Sequence, residues 1–202
     1  MQGRWREVAV VGLGAFLCLL PGAFFGVPNK PMAGACRILD GEVIYRDFWT
    51  VYAPGSYYAI AGLLALFGRY VIVQALAGVA LRALAVGLYF AILRRVGASL
   101  RAALALAGIT AVALFEIAPE LGTYAGALPG MLAAWLAAVG YAGGGSARSL
   151  FLGGLALGLG ATFKHDVALY AALAILGEPR VELLEGYRWR ARFLELNPLL
   201  PQ

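Results

Sequence analysis

Charge is scarce in this chain of 202 residues: Asp, Glu, Lys and Arg together make up 13% of it, about half the share of a soluble domain. Histidine occurs once, as His165, and cysteine twice, as Cys18 and Cys36. That excludes a Cys-rich zinc site and a His-rich metal cluster. Cys18 lies inside an apolar run, so the two thiols are not a disulfide framework. No Gly-Lys-Ser/Thr phosphate loop is present, and Gly12-Leu13-Gly14 and Gly158-Leu159-Gly160 lack the third glycine of a dinucleotide fingerprint. A single histidine without a suitable Ser or Cys partner does not make a catalytic triad.

What the chain has instead is apolar surface. Hydrophobic residues are 62% of it and the mean hydropathy is +0.80. A water-soluble globule has too little interior to hide that much. Lipid is therefore the solvent for most of the chain, and disorder or a soluble Rossmann or hydrolase domain is excluded. The net charge of +5 comes mostly from Arg in short segments between apolar runs. That placement points to orientation in a bilayer and to anionic headgroups, not to nucleic acid. The expected fold class is all-α: a polytopic transmembrane bundle of five or six membrane-inserted helices, with short interfacial helices in the first outer loop.

The runs are readable in order. Val8 to Val27 is one crossing, preceded by Arg4 and Arg6; the small-residue site Ala33-Gly34-Ala35 also fits a cleaved leader, but the run is long and more spans follow. Residues 28–57 form a polar, turn-rich outer loop. Tyr57 to Phe67 is too short to span, and either lies in the interface or runs into the next helix. Val71 to Leu93, Ala102 to Ile117 and Leu121 to Tyr141 are further crossings. Lys164-His165-Asp166 interrupts the last apolar stretch, Leu150 to Leu176, which fits one broken helix or two short ones meeting at that turn. With the N-terminus in the cytoplasm, Arg4, Arg6, Arg94, Arg95, Arg101 and Arg148 fall inside. The tail adds Arg180, Arg188, Arg190 and Arg192, which favours two helices and a returning C-terminus. Glycines at 122, 126 and 130, and at 154 and 158, are spaced four apart, a pattern that lets helices approach closely in lipid.

The candidate chemistry lies in charges a membrane disfavours. Arg82 sits mid-span, where a cation costs at least about 2.5 kcal/mol, so it must face the bundle and meet an anion or carbonyls, either a structural partner such as Glu116 or a ligand. Lys164, His165 and Asp166 are a local Lys–Asp pair, charges snorkelling to the interface, or a cationic site for the phosphate of a lipid carrier. Asp40, Glu42 and Asp47 are solvated loop charges or contain a general base for a hydroxyl acceptor. Their spacing does not demand a divalent cation, and no cofactor is called for. Tyr45, Trp49, Tyr52, Tyr57 and Tyr58 form an interfacial aromatic belt or a wall on which sugars stack.

Two stretches carry a resemblance. LDGEVIYRDFWTVYAPGSYY (Leu39 to Tyr58) resembles the first outer loop of GT-C superfamily glycosyltransferases of the bacterial protein-O-mannosyltransferase type, through Gly41, Tyr45, Arg46, Asp47, Phe48, Tyr52 and Pro54. GGLALGLGATFKHDVALY (Gly153 to Tyr170) resembles a helix end of the same family, and Arg82 falls where that family tends to keep an Arg. The resemblance implies a multi-pass protein of the bacterial inner membrane that takes a sugar from a polyprenyl phosphate and gives it to a hydroxyl on the outer face. It implies Asp47 and Asp40 as catalytic acids, and Lys164, Arg46, Tyr45, His165, Asp166 and Arg82 as donor and phosphate contacts. Family members place an acid directly after the first span, where this chain reads Pro28-Asn29-Lys30, so a later acid must serve. The expected organisation is a transmembrane module over residues 1–178 and a polar tail over 179–202. Family members run longer, so a truncated product is expected, inactive as an isolated fragment unless a later acid serves. The alternative is a non-catalytic membrane protein that binds or moves a lipid or small solute.

Overall fold

The computed structural model describes residues 2–24, 30–115 and 121–177. Among them are eight α-helices and no strand beyond one isolated bridge, Ile44 to Phe48. In chain order they are α1 (Gln2–Ala23), α2 (Lys30–Leu39), α3 (Gly55–Phe67), α4 (Val71–Arg95), α5 (Leu100–Phe115), α6 (Thr123–Ala142), α7 (Ala147–Phe163) and α8 (His165–Gly177). Three of them, α1 from Trp5 onward, α4 and α6, are long and apolar enough to cross a membrane. The chain is a helical membrane protein by that measure. The remaining apolar helices, α3, α5, α7 and α8, are shorter than 18 residues. Val27, Glu116 and Ile117, the slot at Pro28-Asn29 and the polar tail lie outside the described residues.

α4 is the central element. It packs along α1 on one side and against α6 and α5 on others, while α7 runs the length of α6. Phe90, Val86, Ala83 and Val79 of α4 are almost completely buried. Small residues let the backbones close up in the absence of a hydrophobic force between helices. The α6–α7 contact depends on this most. A Cβ on Gly126 would strike the Phe163 ring, and one on Gly130 would strike the Ala156 carbonyl. A Cβ on Gly153 would sit 2.5 Å from that of Ala137.

This corrects the expectation drawn from glycine spacing. Gly126 and Gly130 are in the contact, but Gly154 and Gly158 have nothing within 4 Å of an added Cβ. α7 turns Gly153, Ala156 and Gly160 toward α6 instead, positions related by three, four and seven residues on one helix face.

The breaks are local and chemically plain. α3 is a separate helix, ended by Gly68 at φ +90°, a backbone conformation that favours glycine. α7 and α8 are divided by Lys164 alone, whose extended backbone (φ −152°, ψ 100°) interrupts two otherwise helical runs. At the opposite end of the bundle Glu7 of α1 meets Arg94 of α4 at 3.6 Å, and Arg95 donates to the Gly140 carbonyl.

Candidate functional site

Polar side chains gather where α2, the loop over residues 40–54, the start of α6 and the α7–α8 break come together. The loop folds on itself first. Val43 and Asp47 close a tight turn from both sides: the Asp47 amide donates to the Val43 carbonyl at 2.8 Å, and the Val43 amide donates to Asp47 Oδ2 at 2.7 Å. Arg46 adds a second clasp, its Nη2 lying 2.7 Å from the same carboxylate. Arg37, on α2, holds Glu42 and donates to the Asp47 carbonyl, with its guanidinium 4.5 Å from the Phe48 ring centre.

Those contacts decide the state of Asp47. The Arg46 side chain and then the Val43 amide hold its carboxyl down at about 2. It is an ionised staple of the loop and, while so held, a weak base. Asp40 turns away to Arg69 at 2.8 Å, which ties the end of α2 to the link between α3 and α4.

Tyr45 is the one non-glycine described residue with positive φ, at +68°. For a bulky side chain this is an outlier, and such outliers cluster at functional sites. Its hydroxyl donates to the Tyr52 carbonyl at 2.6 Å, and burial, with Tyr57 nearby, pushes its phenol above the ordinary tyrosine value. The strained turn thus aims the ring along residues 51–54.

There it meets the α7–α8 break. A cleft of about 450 Å³ is lined by Tyr45, Tyr52 and Pro54 from the loop and by Ala161, Thr162 and His165 from the break. Its walls touch at Gly55, where a Cβ would strike the Thr162 carbonyl. Beside it Lys164 pairs with Asp166 at 2.9 Å and lies 4.7 Å from the centre of the Tyr124 ring.

Of the residues singled out from sequence, then, Tyr45 and His165 line one cleft. Arg46 and Asp47 bind each other, Lys164 and Asp166 bind each other, and Asp40 binds Arg69. Arg82 is buried in α4, 4% exposed, and is engaged in an interaction, as the cost of a mid-span cation requires. Glu116, its suggested partner, is outside the described residues. Among the described residues no three of His, Cys, Asp and Glu gather as a metal site would need.

Sequence reasoning passed over several residues of this region. Thr162 lines the first cleft from the apolar side of the Lys164 break, where nothing in its neighbours marks it out. Lys30 and Arg37 line a second cleft, of about 390 Å³, with Gly34, Phe48, Trp49 and Tyr57. The signal for these two was present: cations spaced seven apart fall near one another on a helix, with buried Met32 and Ala35 on another face. No family model, curated protein or solved structure matches this chain.

Proposed function

We propose that this chain is a membrane-embedded module of glycosyltransferase type, which takes a sugar from a polyprenyl-phosphate donor and passes it to a hydroxyl acceptor. One observation carries the reading. The two segments that bear the resemblance, about a hundred residues apart in the sequence, supply the two walls of a single cleft through Tyr45–Pro54 and Ala161–His165. A purely structural resemblance has no need to bring them face to face.

In this reading α5, α7 and α8 join α1, α4 and α6 in the bilayer, making six inserted helices, or five with α7 and α8 counted as one broken helix. α5 and α7, at 16 and 17 residues, stand near the lower limit for crossing. The N-terminus and the arginine-rich end are cytoplasmic, the cleft opens on the outer face of a bacterial inner membrane, and the lipid bilayer is the resident partner. The acceptor oxygen bonds to the anomeric carbon as the carbon–phosphate oxygen bond breaks. The electron pair leaves with the phosphate, and the acceptor proton goes to a carboxylate. Asp47 is the candidate for that proton, and it must first release Arg46, which is then free to meet the phosphate beside Lys164. His165 and Tyr45 contact the sugar end.

A second reading, a non-catalytic protein that binds or moves a lipid or small solute, draws on the ion pairs of Asp47 and Asp40, which leave neither of these two carboxylates idle. Sugar transfer by the purified chain in lipid nanodiscs separates the two. Asp47→Asn is expected to lower the rate at least about a hundredfold with helix content unchanged, the scale of a lost general base. Transfer at the parent rate in both Asp47→Asn and Asp40→Asn, or none in the parent chain, gives the field to the binding reading.

A further inference from the structure

The second cleft has a composition of its own. Val51 and Tyr52 line both clefts, so this segment is their shared wall. α2 contributes Lys30 and Arg37 to its lining, and Phe48, Trp49 and Tyr57 supply the aromatic part, with the Arg37 guanidinium 4.5 Å from the Phe48 ring centre. The two cations are in different states. Arg37 is fixed, with Nε and Nη2 committed to Glu42 and the Asp47 carbonyl and Nη1 uncommitted. Lys30 is exposed and makes no ion pair among the described residues. It is one of two lysines in the chain, and the other, Lys164, is held by Asp166.

The aromatic side is equally specific. Trp49 is 76% exposed although it is the largest apolar side chain of the loop. Thr50 Oγ1 and Tyr57 Oη lie 2.7 Å apart, a hydroxyl pair at the cleft wall. The space itself depends on Gly34, because a Cβ there would strike the buried Tyr57 ring. A fixed guanidinium and an exposed ammonium together recognise phosphate, the one through its uncommitted Nη1 and the other as a point charge. An exposed indole beside them suits a ligand whose apolar part lies in the membrane interface.

We propose that this second cleft binds a phosphate group carried by a membrane lipid, with Lys30 and Arg37 on the phosphate and Trp49 beside the lipid stem. The site stands apart from sugar transfer: a chain that transfers nothing can still hold the phosphate here.

The test uses the full chain in nanodiscs of neutral phosphatidylcholine, with Trp5, Trp135 and Trp189 changed to Phe so that Trp49 reports. Polyprenyl phosphate, phosphatidylglycerol and inorganic phosphate are titrated in turn. Saturable quenching or enhancement is expected with a lipid-borne phosphate. Lys30→Gln should weaken it about tenfold, the loss of one charge-assisted contact, and Lys30→Arg should restore it. The Lys30 side chain makes no hydrogen bond or ion pair among the described residues, so this variant reads binding and not collapse. Arg148→Gln, which removes a charge from the start of α7, should leave it unchanged. Saturation by polyprenyl phosphate alone makes the carrier the ligand, by both lipids any anionic headgroup, and by inorganic phosphate at equal affinity the free ion. Absence of saturation with every probe, or equal weakening by Lys30→Gln and Arg148→Gln, overturns the site.

Discussion

Where α6 meets α7 the contact is made of missing side chains. Gly130 and Gly160 bring backbone against backbone, while Gly126 makes room for the Phe163 ring and Gly153 for the Ala137 methyl. Across the loop from Arg37 to Tyr52 the reverse holds: Arg37, Glu42, Arg46, Asp47 and Tyr45 are each tied to a neighbour no more than ten residues away. The first region is specified by volume and tolerates no addition. The second is specified by pairing and tolerates much, because each exposed pair contributes little on its own.

The sharpest way to break this comparison is to add volume in the first region. Gly130→Val places three carbons where even one strikes Ala156, so α6 and α7 must separate. The expected loss is about 1–3 kcal/mol, the cost of overpacking, or outright failure to fold. Gly158→Ala, on the open face of the same α7, should be neutral or slightly stabilising through helix propensity. Thermal unfolding in detergent reads both. Equal behaviour of the two variants would mean that the α6–α7 seam lies elsewhere.

That contrast also says what was legible in the sequence. The helices were, because long apolar runs ended by Gly, Pro or charge have no other use. The fate of Arg82 followed from the cost of a mid-span cation, and the break at Lys164 from a charged triplet in an apolar stretch. The glycine face was not, since Gly153 and Gly154 are adjacent and only packing decides which one turns inward. Nor were the loop pairings. Asp47 looks like a free acid until the turn brings the Val43 amide and Arg46 onto it, and Lys30 is only the end of the Pro28-Asn29-Lys30 slot until the fold sets it in one cleft with Trp49. Pairing inside a turn depends on backbone angles such as the positive φ of Tyr45, which no residue type announces.

A smaller effect belongs to the one ion pair that mixes the two styles. Lys164 interrupts a packed helix, yet is held by Asp166 and the Tyr124 ring. Lys164→Ala removes both contacts, but alanine also favours the helix and lets α7 run on into α8. A fall of about 2–4 °C in Tm is expected if the contacts outweigh the gain in helix propensity. A rise in Tm instead would show that the break is strained, and would move Lys164 from the structural to the functional side of the comparison.

The smallest expected effect is the pH response of the loop, and it bears most directly on whether Asp47 is a staple or a base. Its carboxyl is held at about 2, against 3.8 for the free group. A group whose value falls on folding stabilises fully above the unfolded value and loses that contribution as pH drops through the folded one. The turn should therefore be unchanged from neutrality down to about pH 4, and should loosen only as the pH approaches 2. Both partners are exposed, so the change is modest and shrinks in high salt. In the chain where Trp49 is the only tryptophan, its emission should follow this course, and Asp47→Asn should abolish the acid step. A step centred near 3.8 would mean that Arg46 does not hold the carboxylate in solution. Asp47 would then be the idle acid that transfer requires, and the loop would be held by Arg37 instead.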